Sequence, residues 1–368
     1  MAIHLHALQT WNPDTVYVQS EASELMQNQF EDSRTKRVIR HIYKHSEIAQ
    51  RHTAVKDFGS ADSEELFADQ GDGKWKNPLT GDRNKFYMEI SRQASVDLAR
   101  ETLQAAPGFE ASDITHIVTA SCTGFYNPGP DYHIIKELGL SQTVERFHLG
   151  FMGCYAAFPA LRLADSLCRN DPNAVVLIQC LELCSLHVQL DGENPETVVA
   201  GSLFADGAGC ALVSARPPAQ GQCGYELKAL NSALTSSGGG SMAWEIGNHG
   251  YEIVLSSYVP HILGENIRKS ILPGLEKQNW DISDVDFWCV HPGGKAILDR
   301  ITEALELPQD SMDTARDILR NYGNMSSATI FFLLRKGLQE MENGSRTAAM
   351  AFGPGLTVEM AFMERKVF

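Results

Sequence analysis

One feature constrains the fold of this 368-residue chain more than any other: parts of it repeat at a fixed distance. Phe109-Glu-Ala-Ser-Asp-Ile-Thr-His recurs 171 positions later as Trp280-Asp-Ile-Ser-Asp-Val-Asp-Phe, each an aromatic and a Ser-Asp pair leading into an apolar run. The same shift carries Gly153-Cys154 onto Asn324-Met325. It also brings Asn173-Ala-Val-Val close to Gly344-Ser-Arg-Thr-Ala-Ala-Met. A single short match arises by chance, but one offset holding at three places predicts a duplicated unit with strand, loop, helix and strand in the same order. The halves are drawn at 1–215 and 216–368. Strand ends of the two halves would meet at the midline, where sites form.

Local patterns agree with a layered α/β body. Ala94–Ala106 and the stretch from Cys154 to Cys168 have helical spacing, whereas Ile114–Ala120, Ala174–Cys180 and Ala208–Ser214 read as strands. Gly59–Asn84, rich in Gly, Asp and Lys, reads as a loop. A net charge of −15 argues against a nucleic-acid-coating protein. No apolar run reaches the roughly 18 residues needed to span a bilayer, and Met1–Gln9 is too short and His-rich for a signal peptide. Eight Cys without CxxC pairs fit reduced thiols in a cytoplasmic enzyme better than a disulfide or zinc framework. Against the acidic background, Arg34–Lys56 carries seven basic residues and one acid, Glu47. Such a run is either a solvated helix face or an anion site.

Three residues form a chemical constellation. Cys154 follows Gly153 at a turn into a helix, where backbone N–H groups and the helix dipole lower a thiol's pKa; the alternative is a small buried apolar residue. His291 ends the apolar run Val285–Val290 and precedes Pro-Gly-Gly, which presents an imidazole to a cleft. Asn324 lies in Tyr322-Gly-Asn-Met-Ser-Ser ahead of the helical run Ala328–Leu338, placed either to donate to an oxyanion or to cap the helix. Phe352-Gly-Pro-Gly-Leu-Thr-Val-Glu359 lacks the Walker Lys and dinucleotide spacing; it predicts a stiff turn lining a cavity.

Gly153-Cys-Tyr-Ala, His291-Pro-Gly-Gly, Tyr322-Gly-Asn-Met-Ser-Ser-Ala and Phe352-Gly-Pro-Gly-Leu-Thr-Val-Glu together resemble the signature blocks of the type III polyketide synthases, the chalcone synthase-like enzymes. The resemblance runs through nearly the whole chain in the family's order. It implies a thiolase fold, a duplicated α/β/α/β/α unit with pseudo-two-fold symmetry, and a homodimer. It further implies a Cys154-His291-Asn324 triad acting on coenzyme A thioesters without metal or redox cofactor. The substrates would be an acyl-CoA starter and malonyl-CoA, joined by decarboxylative Claisen condensation and cyclised to a pyrone or polyhydroxylated ring. Arg37, Arg40 and Lys44 then become candidates for the coenzyme A phosphates.

Other positions follow from the same resemblance. Phe204 matches a gatekeeper aromatic, Ile253 stands where a second gatekeeper is expected, and Trp244 replaces a small cavity residue. Cys122, Thr123, Cys184, His187, Ser326 and Pro354 fall at cavity-lining positions, and Asn127 replaces the residue that reaches across the dimer. A bulky indole with an aliphatic gatekeeper points to an aliphatic acyl starter, or malonyl itself. Two other classes are compatible with the triad: a carrier-protein-dependent ketoacyl synthase III-like acyltransferase, and a non-catalytic thiolase-fold subunit, which the surviving nucleophile disfavours.

Overall fold

The computed structural model describes residues 1–56, 58, 66–68, 71, 73–190, 194–235 and 237–368. Its first half contains β1 (Ile3–Trp11), β2 (Val16–Val18), α1 (Gln19–Asn28), α2 (Ser33–Lys44), β3 (Gln50–His52), α3 (Thr80–Gln104), β4 (His116–Ser121), α4 (Pro130–Leu138), β5 (Glu145–Gly150), α5 (Ala157–Asn170), β6 (Val175–Leu183), α6 (Pro195–Leu203) and β7 (Asp206–Ser214). The second half contains β8 (Cys223–Leu234), β9 (Met242–Gly247), β10 (Gly250–Leu255), α7 (Val259–Glu276), β11 (Phe287–Val290), α8 (Lys295–Ala304), α9 (Asp313–Tyr322), α10 (Thr329–Glu340), β12 (Arg346–Gly353) and β13 (Thr357–Val367). None of the described helices is long and apolar enough to cross a membrane.

The strand order is β11-β12-β13-β8-β1-β7-β6-β4-β5. Within it, β4 runs parallel to β6, which pairs antiparallel with β7, which pairs antiparallel with β1. The other half reproduces this with β11, β12, β13 and β8. The halves join through a short antiparallel contact, Ile3–Leu5 of β1 against Tyr225–Leu227 of β8. All nine residues of β6 and of β7 are buried, as expected of strands covered on both faces. Helices α5 and α10 fill the space between the two sheet portions, α3 covers the first outside and α7 the second. This is the layered, duplicated architecture expected from the sequence.

The repeat has a physical basis. His116 and Phe287 open β4 and β11, and Val175 and Arg346 open β6 and β12, both pairs 171 positions apart. The Ser-Asp motifs form equivalent 3-10 turns, Ala111–Asp113 and Ile282–Asp284. In each the Asp carboxylate accepts the N–H three residues earlier, at 2.8 Å. Each Asp also pairs with an arginine, Asp113 with Arg216 and Asp284 with Arg346; their guanidinium groups lie 5.3 Å from the Phe109 ring and 5.4 Å from the Trp280 ring. In each motif an aromatic and an acid thus flank one arginine.

The loop expected over Gly59–Asn84 is corrected at its end: α3 starts at Thr80, after an extended Leu79, so residues 80–84 are helical. Gly81 and Asn84 disguised that first turn because both are weak helix formers. Residues 59–65, 69, 70 and 72 of that expectation lie outside the described residues.

Candidate active site

The chain leaves β5 through Phe151 at φ 60° and Gly153 at φ 82°, then turns at Cys154 into α5. A Cβ on Gly153 would stand 2.3 Å from Pro354 Cδ, and one on Gly353 would stand 2.5 Å from the Tyr155 ring. Glycine is required twice because the stiff turn of the second half lies directly on the Cys154 turn of the first.

Cys154, His291 and Asn324 line one cavity at this seam, with Cys122, Thr123, Cys184, Phe204, Trp244, Ile253, Ser326 and Pro354 in its walls. His291 follows β11 and is 1% exposed; its N–H donates to Met350 O at 2.8 Å, and Gly293 N–H donates back to His291 O at 2.9 Å. Among the described residues neither ring nitrogen finds a hydrogen-bond partner. A buried imidazole aimed into a cavity with both nitrogens unpaired is costly, and such groups mark functional sites. Asn324 Oδ1 accepts Ser326 N–H at 2.9 Å, which fixes the amide and leaves its NH2 to donate. The side chain does not act as an N-cap of α10: the residue preceding that helix is Ala328.

Burial pushes the Cys154 thiol up to about 11, against hydrogen bonds from Ser326 and Asn324. It also pushes His291 down to about 3. The sequence suggested a thiol acidified by its helix start; here desolvation outweighs that effect. A thiolate–imidazolium pair formed here would have to be held by mutual attraction, in place of the hydration both groups lose.

Glu182, which belongs to none of the sequence motifs, organises the floor. This carboxylate is 0% exposed and accepts from Cys122 N–H at 3.0 Å, Cys122 Sγ at 3.2 Å, Thr123 Oγ1 at 2.8 Å and the Ser327 hydroxyl. Burial pushes its pKa up. The available signal was an ionisable residue inside the apolar run from Ala174 to Leu186.

A second, mostly apolar cavity lies beyond the first, lined by Met26, Tyr43, Phe58, Trp75, His187 and Tyr251 among others. Cys184, Phe204, Trp244 and Ile253 line both cavities and form the partition. Trp244 is clamped there: its indole N–H donates to Cys122 O at 2.7 Å, and its ring meets His187 and Tyr251 edge to face. His187 stacks on Tyr251 at 4.1 Å, its Nε2 lies 2.7 Å from Thr123 O, and burial takes it down to about 3. His187 thus faces the second cavity and not the one holding Cys154. Asn127 lines neither; it sits on a cis bond to Pro128 in an open surface pocket with Tyr126, Arg146 and His148. Arg37, Arg40 and Lys44 are exposed on α2 at i, i+3 and i+7, outside both cavities, with Arg40 donating to Gln27 at 2.9 Å.

Comparisons with known proteins bear on the chain as a whole. The chalcone and stilbene synthase N-terminal domain matches residues 2–217, and the C-terminal domain matches residues 226–367. The α-pyrone synthesis polyketide synthase-like protein Pks18 of Mycobacterium tuberculosis is 30% identical, over 96% of this chain and 89% of that protein. Among solved structures, PKS-I of the brown alga Ectocarpus siliculosus superposes with a TM-score of 0.90 at 28% identity, covering 99% of this chain and 98% of that one. The 1,3,6,8-tetrahydroxynaphthalene synthase of Streptomyces coelicolor A3(2), a bacterial type III polyketide synthase, gives 0.85 at 27% identity, covering 99% and 100%. With two domain matches covering nearly all of its length, the chain belongs to the chalcone and stilbene synthase family, the type III polyketide synthases, transferases that work by decarboxylative condensation.

Proposed function

We propose that Cys154 is the acyl-carrying nucleophile, with His291 and Asn324 as its partners. Its sulfur attacks the carbonyl of an acyl-CoA starter while its proton passes to His291; coenzyme A leaves as the thiol and takes that proton. Malonyl-CoA then enters, and the His291 ring N–H and Asn324 amide donate to its thioester oxygen as carbon dioxide departs. The resulting enolate attacks the acyl-Cys154 thioester, forming the new carbon–carbon bond and releasing the Cys154 thiolate. Repetition and cyclisation give a pyrone or polyhydroxylated ring. The observation that carries this reading is the convergence of a thiol, an unpaired buried imidazole and an amide fixed through its oxygen on one cavity.

The clamped Trp244 and the aliphatic Ile253 favour an aliphatic acyl starter or malonyl itself. Arg37, Arg40 and Lys44 share one exposed face of α2 and are assigned to the coenzyme A phosphates. We assign the halves to 1–215 and 216–368, and the working unit to a cytoplasmic homodimer. Partly exposed Met88 and Tyr132, apolar residues on α3 and α4, suit such an interface. The test is incubation with malonyl-CoA and a panel of acyl-CoA starters, with products read by mass. Extension of aliphatic starters is expected; preference for a coumaroyl starter over every aliphatic one would overturn the starter assignment, and no extension of any starter would overturn the enzyme reading.

A further inference from the structure

Helix α6 ends at Leu203, one residue before Phe204, and the last carbonyls of a helix have no partner within it. Here they are met by side chains and backbone from elsewhere. Gly201 O accepts from Arg51 Nη1 at 2.8 Å and from the Tyr43 hydroxyl at 3.0 Å, and Ser202 O accepts from Gln19 Nε2 at 2.8 Å. Leu203 O accepts Asn324 N–H at 2.9 Å, and Phe204 O accepts Arg51 Nη1 at 2.7 Å. Ala205 N–H returns to Asn324 O at 2.9 Å, so Phe204 and Asn324 are joined in a short parallel bridge. The guanidinium sits at the negative end of the helix, where a cation is favoured.

Arg51 is held in turn. Its Nε donates to Gln19 Oε1 at 3.0 Å, and its Cζ lies 5.7 Å from the Tyr43 ring centroid. A Cβ on Gly323, at φ 75°, would stand 2.9 Å from Arg51 Cγ. Glycine beside Asn324 therefore lets the arginine stem lie against that backbone. Arg51 does not line the cavity of Cys154, yet it grips the carbonyl of one wall residue and packs on the residue preceding another.

From these contacts we propose that Arg51 is a positioning residue: it holds Phe204 and the Asn324 amide in register, and through them sets how well the site stabilises the enolate. The inference rests on the reading of Asn324 as an oxyanion donor. A planar fork satisfies Gly201, Phe204 and Gln19 at once, which a lysine ammonium on a flexible stem does less well.

The test compares Arg51→Gln, Arg51→Lys and Gly323→Ala with the wild type and with Asn324→Ala. Three quantities are read: thermal midpoint, acyl loading of Cys154 by intact mass, and decarboxylation of malonyl-CoA supplied alone. Arg51→Gln is expected to keep loading within about twofold while the malonyl-CoA kcat falls roughly ten- to hundredfold at similar KM, because small misplacements of a positioned group cost that much. Arg51→Lys should recover part of the loss, and Gly323→Ala should reproduce it by displacing the arginine stem. If loading and decarboxylation fall together in step with folded protein, Arg51 is only a helix cap and the proposal fails. It fails equally if the malonyl-CoA kcat is unchanged in folded Arg51→Lys and Gly323→Ala. Should Asn324→Ala itself leave decarboxylation intact, the failure lies in the reading of Asn324.

Discussion

The turn into α5 and the turn into α10 occupy equivalent places in the two halves, yet they present different functional groups to the cavity. The first presents Cys154 after Gly153; the second presents Asn324, with Ser326 at φ 50° ahead of the helix. The strands behind them differ in the same sense. Where β6 carries Glu182, the position 171 residues on in β12 is Gly353. Glu182 ties down Cys122, Thr123 and Ser327, whereas Gly353 leaves room for Tyr155 and the Cys154 backbone. The two halves share one frame but carry different parts of the candidate site, and both face the same seam.

The sharpest way to break that comparison is to remove one part at a time. Cys154→Ala should abolish acyl loading entirely, read as loss of the acyl mass increment on the intact protein. Loading at wild-type stoichiometry would move the nucleophile to another thiol and undo the assignment of the first turn. Asn324→Ala should leave loading largely intact but lower malonyl-CoA decarboxylation by roughly two to three orders of magnitude, the effect of losing one preorganised donor worth about 2.7–4 kcal/mol. Equal loss of both half-reactions would make Asn324 structural. The two variants together ask whether the equivalent turns have divided the labour.

His291 tests the link between them. In His291→Ala burial and the Glu182 charge still push the Cys154 thiol up, and no imidazolium is left to favour its thiolate, so it should titrate higher than in the wild type. Raising a thiol pKa lowers the thiolate fraction at neutral pH, about tenfold per unit, so iodoacetamide alkylation of Cys154 should slow accordingly. The wild type should titrate lower, since an imidazolium favours the thiolate. Identical alkylation profiles would show that no ion pair forms.

How much of this could be read from residues alone follows from the range of each interaction. The repeat was legible because its motifs are local: Ser-Asp turns close on themselves within three residues. The Cys154, His291 and Asn324 positions were legible through Gly and Pro at their turns. Glu182 was not, because its partners lie near residues 121–123 and 327, and a carboxylate in a strand reads as a break in pattern. Arg51 was counted only as one charge in a basic run; its partners are carbonyls about 150 residues away, which carry no sequence signal. The partition by Trp244 was legible as bulk, but not as a wall between two cavities.

Trp244 belongs to β9, in the second half, and closes a chamber built largely by the first. Trp244→Gly should join the two cavities and shift products to longer starters or further extensions, by about 1–3 kcal/mol of discrimination per methylene accommodated. Product masses across starters of increasing length check this. Coincident distributions for wild type and variant would show that the partition does not set chain length.

The smallest effect is expected where the halves differ by addition. Helix α2 has its exposed basic face in the first half, and among the described residues the second half has no α-helix between β8 and β9 to match it. Arg37, Arg40 and Lys44 lie outside both cavities, so neutralising all three should leave the chemical steps alone and weaken only the capture of an anionic substrate. Exposed charges contribute little each, about 0–1 kcal/mol, so the triple Gln variant should raise the KM for malonyl-CoA severalfold with kcat nearly unchanged. Salt screens such contacts, and the gap between variant and wild type should therefore close as ionic strength rises. An unchanged KM at low salt would return α2 to an ordinary solvated face, and would place the phosphate-binding charges elsewhere around the cavity mouth.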